Sequence, residues 1–223
     1  MLIKKPLTCL FLAAELAAYY LILTTGGQLL IYSSFVAIVL CFLHALYQVK
    51  TVDKLLLSGL ACTVAADFCL VICSPIQQLW GMVFFLFAQS FYAIRLHLTD
   101  RRKPLLWIRL TLILAALSVT VLVLRNNTDA LALVSLCYYA NLIFNLMMAF
   151  LQWKCDKLMP IALVLFLLCD TVIGLQVACG GYLPISDTSL LYRIIFMPFN
   201  LSWFFYRPSQ VLISLRSAKN TTA

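Results

Sequence analysis

Acidic side chains are scarce in this chain. Only 8 of its 223 residues are Asp or Glu, against 16 Lys and Arg, and charged residues make up 11%. A water-soluble domain carries roughly 25% charged residues, so an ordinary soluble globule is excluded. Histidine is scarcer still. His44 and His97 both fall near the ends of apolar runs, which speaks against a histidine-built zinc site. The chain holds no Gly-x-Ser-x-Gly elbow and no glycine-rich phosphate loop, which removes two common hydrolase and nucleotide-binding designs. Its cysteines include no Cys-x-x-Cys pair; scattered through apolar stretches, they read as small packing residues rather than disulfides or a metal cage. Neither a cofactor nor a metal is expected.

Apolar residues, in contrast, make up 64% of the chain, with a mean hydropathy of +1.02. Apolar runs of spanning length fall near residues 7–24, 29–47, 55–73, 79–98, 105–124, 130–151, 158–179 and 189–213. Each suffices to cross a hydrocarbon core of roughly 30 Å as an α-helix, and none shows the alternation of a β-barrel strand. The expected fold is therefore all-α: a single integral-membrane domain over residues 1–223, built as a bundle of eight transmembrane helices. Glu15 in the middle of the first run, with no small-residue cleavage site behind it, argues for a membrane helix over a signal peptide.

The loop charges orient this bundle. Lys4, Lys5, Lys50, Lys54, Arg101, Arg102, Lys103, Lys154, Lys157, Arg216 and Lys219 fall on one side, while the other offers Arg125 and Arg193. Basic loops stay inside, so both termini are expected in the cytoplasm. The net charge of +8 is then a topology signal with some attraction to membrane lipids, and no nucleic acid is expected as a partner. A glycosylation sequon, Asn126-Asn127-Thr128, lies on the outer side. Whether the membrane is a bacterial inner membrane or a eukaryotic endomembrane is not legible.

Against this background two aspartates stand out. Asp53-Lys54-Leu55 leads to Asp67, and Asp156-Lys157-Leu158 leads to Asp170, each pair separated by the same interval and the two segments offset by 103 positions. At about 1.5 Å per residue both carboxylates sit roughly 20 Å from the basic side. An ionisable group at that depth costs about 2.5–3.5 kcal/mol to insert, so it marks a functional site unless it serves an interhelical hydrogen bond or an arginine pair. The repeat also raises the prospect that helices 1–4 and 5–8 are related halves, alongside plain coincidence.

Other polar residues share faces with these. Thr63 and Asp67 lie one turn apart, with Gly59 and Ala66 allowing close helix approach; Tyr138, Asn141, Asn145 and Gln152 form a stripe on helix 6. Arg193, Asn200 and Arg207 recur every seven positions on helix 8, where Pro198 and Pro208 should bend the chain and free carbonyls. Gln89 and Tyr92 on helix 4 and Glu15 on helix 1 complete the buried polar set. Interhelical glue and cavity lining are both open readings for the amides; for Arg207, pairing with an acid or holding a phosphate.

Several of these segments resemble the YhhN-like lysoplasmalogenase family: "LLLSGLACTVAADF" around Asp67, "GMVFFLFAQSFY" with Gly81, Phe85, Ala88 and Tyr92, "LFLLCDTVIGL" around Asp170, and "YRPSQVLI" with Tyr206 and Gln210. The chain departs from the family pattern at Gln89, Ala66 and Cys169, where histidine, glycine and serine are usual, and its Lys5-Pro6 precedes helix 1 rather than helix 2. The resemblance implies hydrolysis of the vinyl-ether bond of a lysoplasmalogen, a lysophospholipid, to a fatty aldehyde and a glycerophospho-base. It implies Asp67 and Asp170 as the catalytic pair, one protonated as general acid, the other ionised to stabilise the cation or activate water. Gln89, Tyr92, Asn141, Asn145, Tyr206, Arg207 and Gln210 are the expected substrate-binding residues. A proton-coupled carrier and a non-catalytic lipid-binding relative are the competing readings.

Overall fold

In the computed structural model, which describes residues 5–47, 53–99, 103–124, 130–181, 188–197 and 200–217, the chain is all helical. The helices are α1 (Lys5–Thr24), α2 (Gly27–Tyr47), α3 (Lys54–Asp67), α4 (Gln78–Thr99), α5 (Lys103–Leu124), α6 (Ala130–Leu151), α7 (Leu158–Gly181), α8 (Leu190–Ile195) and α9 (Leu201–Ser217), with a π-helical turn Phe68–Ile72 directly after α3. Among the described residues, α1, α2, α3 with its π turn, α4, α6 and α7 are long and apolar enough to cross a membrane. Large apolar side chains such as Trp107, Leu122 and Leu16 lie about 70% exposed (70%, 71% and 69%), a surface that only lipid covers without cost. The protein is a multi-pass membrane protein. The sequon at Asn126-Asn127-Thr128 lies outside the described residues, as do several loop charges.

The expected eighth helix over 189–213 is corrected: it is two helices. Ser189 caps α8 by accepting from the Tyr192 amide at 3.1 Å, and Phe196 closes it through Tyr192 O. Asn200 then starts α9 by accepting from the Trp203 amide at 3.2 Å. Met197 is non-helical, as a residue preceding a proline tends to be. The break separates Arg193 from Asn200 and Arg207, so the seven-residue stripe does not exist in three dimensions. Pro208 does sit inside α9. Its missing N–H leaves Phe204 O without the usual helical donor, and Tyr19 of α1 supplies one at 3.0 Å.

Helices α3, α4, α6, α7 and α9 form a closed ring, each packed on the next, with α2 against α3 and α9, α1 outside α2 and α9, and α5 resting on α6. Two devices set this packing. Gly59 lets α4 close onto α3: a Cβ there would stand 2.1 Å from Tyr92 Cε1. Asn145 Nδ2 donates to Gln89 O and Oε1, at 2.7 and 2.9 Å, and Gln152 Nε2 donates to Leu96 O at 2.8 Å, fixing α6 parallel to α4 in one register.

Both Asp-Lys-Leu segments do the same work at the basic end. Asp53 accepts from the Leu55 and Leu56 amides at 3.1 and 3.4 Å, and Asp156 from the Met159 amide at 3.2 Å, capping α3 and α7. Arg95 of α4 bridges the two, to Asp53 at 3.1 Å and Asp156 at 2.9 Å, and Arg216 of α9 also binds Asp156. Burial alone would push the Asp156 carboxyl up; the two guanidiniums outweigh it and hold the pKa below 3.8. The Asp53 amide completes the clamp by donating to Ser217 O at 3.0 Å.

Candidate active site

Fourteen residues beyond these caps the chain places its second pair of aspartates, and here the partners change from arginine to tyrosine. Asp67 is the last residue of α3 before the helix widens into the π turn, a feature that often accompanies functional sites. Tyr206 of α9 donates to its Oδ2 at 2.7 Å. Asp170, on α7, accepts a short hydrogen bond from Tyr138 of α6. Next to it, Thr171 pairs with Tyr139 at 3.0 Å, holding α6 and α7 in register. Neither aspartate has a cationic partner among the described residues.

Both aspartates line one cavity of about 610 Å³. That volume lies within the roughly 300–1,000 Å³ typical of small-molecule sites. The cavity opens at the end of the bundle away from the basic clamp, walled by the α1–α2 turn (Thr25, Gly26) and the link between α8 and α9 (Phe196, Met197, Asn200). Gly27, at φ +62°, allows that tight α1–α2 turn at no steric cost. Ile22, Leu30, Leu70, Phe85 and Trp203 give the cavity apolar walls; Gln176, Ser202, Asn200, Cys169 and Tyr206 give it polar points. Asp67 is 3% exposed and withdrawn under Tyr206, whereas Asp170 is only partly buried. Phe85, Phe166, Trp203 and Tyr206 pack edge to face around this floor, with ring centroids 5.4–6.3 Å apart. Among the described residues no group of three or more His, Cys, Asp or Glu gathers as a metal site would need.

The expected binding residues divide. Tyr206 lines the cavity and holds Asp67. Gln89 and Asn145 bond to each other behind the cavity floor, and Tyr92 packs on Gly59 one turn further away. Asn141 faces the other way and accepts from Arg109 of α5, whose guanidinium also lies 5.5 Å from the Phe144 ring centre. Arg207 is turned outward from the cavity and paired with Glu15 of α1, to which Cys41 also donates at 3.6 Å. Gln210 is fully buried, with neither amide atom partnered among the described residues. Thus Gln89, Tyr92, Asn141, Asn145, Arg207 and Gln210 are not among the cavity-lining residues. Tyr138 was visible on the helix-6 stripe, but its role as the donor to Asp170 was not. The apolar walls from α1 and α2 had no signal beyond general hydrophobicity.

A multi-pass helical membrane protein in which two aspartates, each bonded to a tyrosine, line one amphipathic cavity is the class this geometry defines. The chain belongs to the YhhN family, whose sequence pattern matches residues 28–215. No curated protein and no solved structure matches the chain.

Proposed function

We propose that this protein is an intramembrane hydrolase that cleaves the vinyl-ether bond of a lysoplasmalogen. The observation that carries the reading is the convergence of Asp67 and Asp170, each bonded to a tyrosine, on a single apolar-walled cavity. YhhN membership is consistent with it.

The chemistry follows from what the bond needs. A protonated aspartate delivers its proton to the vinyl carbon distant from the ether oxygen, and the adjoining carbon becomes an oxocarbenium ion. The second aspartate, ionised, stabilises that cation and takes a proton from the attacking water. The resulting hemiacetal collapses: its hydroxyl proton leaves, the glycerol oxygen gains one, and aldehyde and glycerophospho-base separate. One water is consumed and both carboxyl groups return to their starting states. Low polarity around the pair favours one protonated and one charged acid over two charges. Tyr206 and Tyr138 fix the two carboxyl orientations, while Ile22, Leu30 and Leu70 accept the alkenyl chain.

In this reading α5 and the α8–α9 pair complete eight crossings, the basic end and both termini face the cytoplasm, and the cavity opens towards the opposite face. Arg207 serves structure rather than phosphate binding. The test is aldehyde release from lysoplasmenyl-ethanolamine by purified protein, beside Asp67→Asn and Asp170→Asn. Turnover in the wild type that both substitutions abolish is the expected result. No aldehyde from a well-folded wild type across several head groups and chain lengths would overturn the hydrolase; pH-driven flux lost in the same variants would instead establish a carrier.

A further inference from the structure

Between the aspartate pair and the basic clamp runs a seam of buried polar atoms that the site itself does not use. Its levels follow from the helix registers. Asp67 and Tyr206 sit at the cavity floor. Below it, towards the clamp, Gln89 and Asn145 bond to each other, yet Gln89 Nε2 and Asn145 Oδ1 have no partner among the described residues. Gln210, one turn along α9 from Tyr206, has neither amide atom partnered among the described residues. The Tyr92 hydroxyl lies beside Thr63, one turn of α3 from Asp67, with no well-aligned hydrogen bond among the described residues, and its ring packs against Gly59. The seam ends at Gln152 Oε1 and Arg95 Nη1, again unpartnered, inside the Asp53–Arg95–Asp156–Arg216 clamp.

Gln89, Tyr92, Asn145 and Gln210 are all fully buried, at 0% exposure. A buried donor or acceptor left unpaired carries its full desolvation penalty, and native proteins meet such groups with ordered water. Several of them between the cavity floor and the clamp are places for bound water molecules. The seam's far end reaches solvent through Asp53, whose side chain is 19% exposed. Its near end lies at Gln210, one turn of α9 from the Tyr206 that bonds Asp67.

We infer that this seam is a hydration channel that brings water to the aspartates from the basic face. The use of that water rests on the hydrolase reading: a lipid chain filling the cavity closes the opposite entrance to bulk water, while each turnover consumes one water. Delivery from behind the carboxylates resolves the conflict. The hydration itself stands without any catalysis.

Radiolytic hydroxyl-radical labelling of the whole protein in nanodiscs tests it, because radicals form on bound water beside otherwise inaccessible side chains. Tyr92 and Met148 on the seam are expected to label several times faster than an equally buried ring in a dry setting. Phe144, equally buried but facing Arg109, is the dry control. Gln89→Leu combined with Gln210→Leu should cut Tyr92 labelling severalfold, lower turnover and leave KM unchanged. Tyr92 labelling no faster than Phe144 overturns the channel. So does a gain in thermal stability in Gln210→Leu with turnover unchanged, since removing an unpaired amide from a dry site stabilises it. Labelled Tyr92 in a protein that releases no aldehyde would retain the channel and reject the hydrolase.

Discussion

The Tyr206 hydroxyl donates to Asp67 Oδ2 at 2.7 Å across the interface of α9 and α3, and it is the only polar side chain bound to that carboxyl among the described residues. The bond joins the last helix of the chain to the residue where α3 becomes a π turn, so it sets both the carboxyl orientation and the cavity floor. Removing the hydroxyl while keeping the ring separates these roles. Tyr206→Phe should fold normally, since the ring contacts with Phe85, Phe166 and Trp203 remain. A hydrogen bond to a charged or transiently charged group is worth about 1.5–3 kcal/mol, so under the proposed hydrolase function aldehyde release should fall roughly ten- to a hundredfold. Tyr138→Phe should do the same through Asp170. Steady-state turnover beside a thermal unfolding curve checks both; unchanged turnover in the two variants would remove the tyrosines from the mechanism.

Gly59→Ala tests the packing that places Tyr92 and, through α4, the cavity floor. The new methyl would meet the Tyr92 ring at 2.1 Å, and a ring with no exposed surface has nowhere to go. Overpacking of this kind costs about 1–3 kcal/mol. The thermal midpoint of the purified protein in detergent should drop accordingly. Pairing the change with Tyr92→Leu should recover part of the loss, which identifies the clash rather than backbone stiffness as its cause.

The basic clamp makes stability depend on acid pH in a definite direction. Asp156 has its pKa held below 3.8 in the folded protein by Arg216 and Arg95, against the opposing effect of burial. A depressed carboxylate contributes stability that is fully present above the ordinary value of 3.8 and is lost as pH falls below it through the lower folded value. Unfolding midpoints measured down through pH 3 should therefore decline in the wild type. Asp156→Asn, which keeps an acceptor for the Met159 amide, should start lower at neutral pH and show a shallower acid decline. Parallel curves for the two proteins would mean the clamp contributes nothing to acid sensitivity.

The sequence made Asp67 and Asp170 legible because an ionised group deep in an apolar run has few structural excuses, and both do reach one cavity. It also made Asn145 legible as an inward-facing residue, for the same reason of cost. What it left hidden were choices made between helices. Asn141 and Asn145 share one stripe, yet the first turns to Arg109 and the second to Gln89, because α5 and α4 flank α6 on different sides. Pro198 was read as a bend within one helix, and hydrophobicity that continues through it hid the full break; Asn200 as a helix cap is the signal that locates the start of α9. The repeated Asp-Lys-Leu was read as a depth marker for the second aspartates, whereas its own aspartates are caps joined by one arginine. A single chain shows spacing along helices well, and partners across them poorly.

The Glu15–Arg207 pair carries the last prediction, because it ties α1 to a bundle that the family pattern covers only from residue 28. Arg207 is 1% exposed, and it follows Tyr206 directly in α9, so its partner governs how that stretch of helix sits. Removing one member of a buried ion pair strands the other charge, at a cost of about 3–5 kcal/mol; replacing both with uncharged side chains can be neutral. Glu15→Gln alone should therefore destabilise the protein severely, and Arg207→Met alone should do so to a similar degree. The double variant should regain most of the lost stability in thermal unfolding. If the pair serves only to dock α1, the double variant also regains turnover, since neither residue lines the cavity. Recovered folding without recovered aldehyde release would show instead that Arg207 acts on the reaction itself, through the backbone it shares with Tyr206.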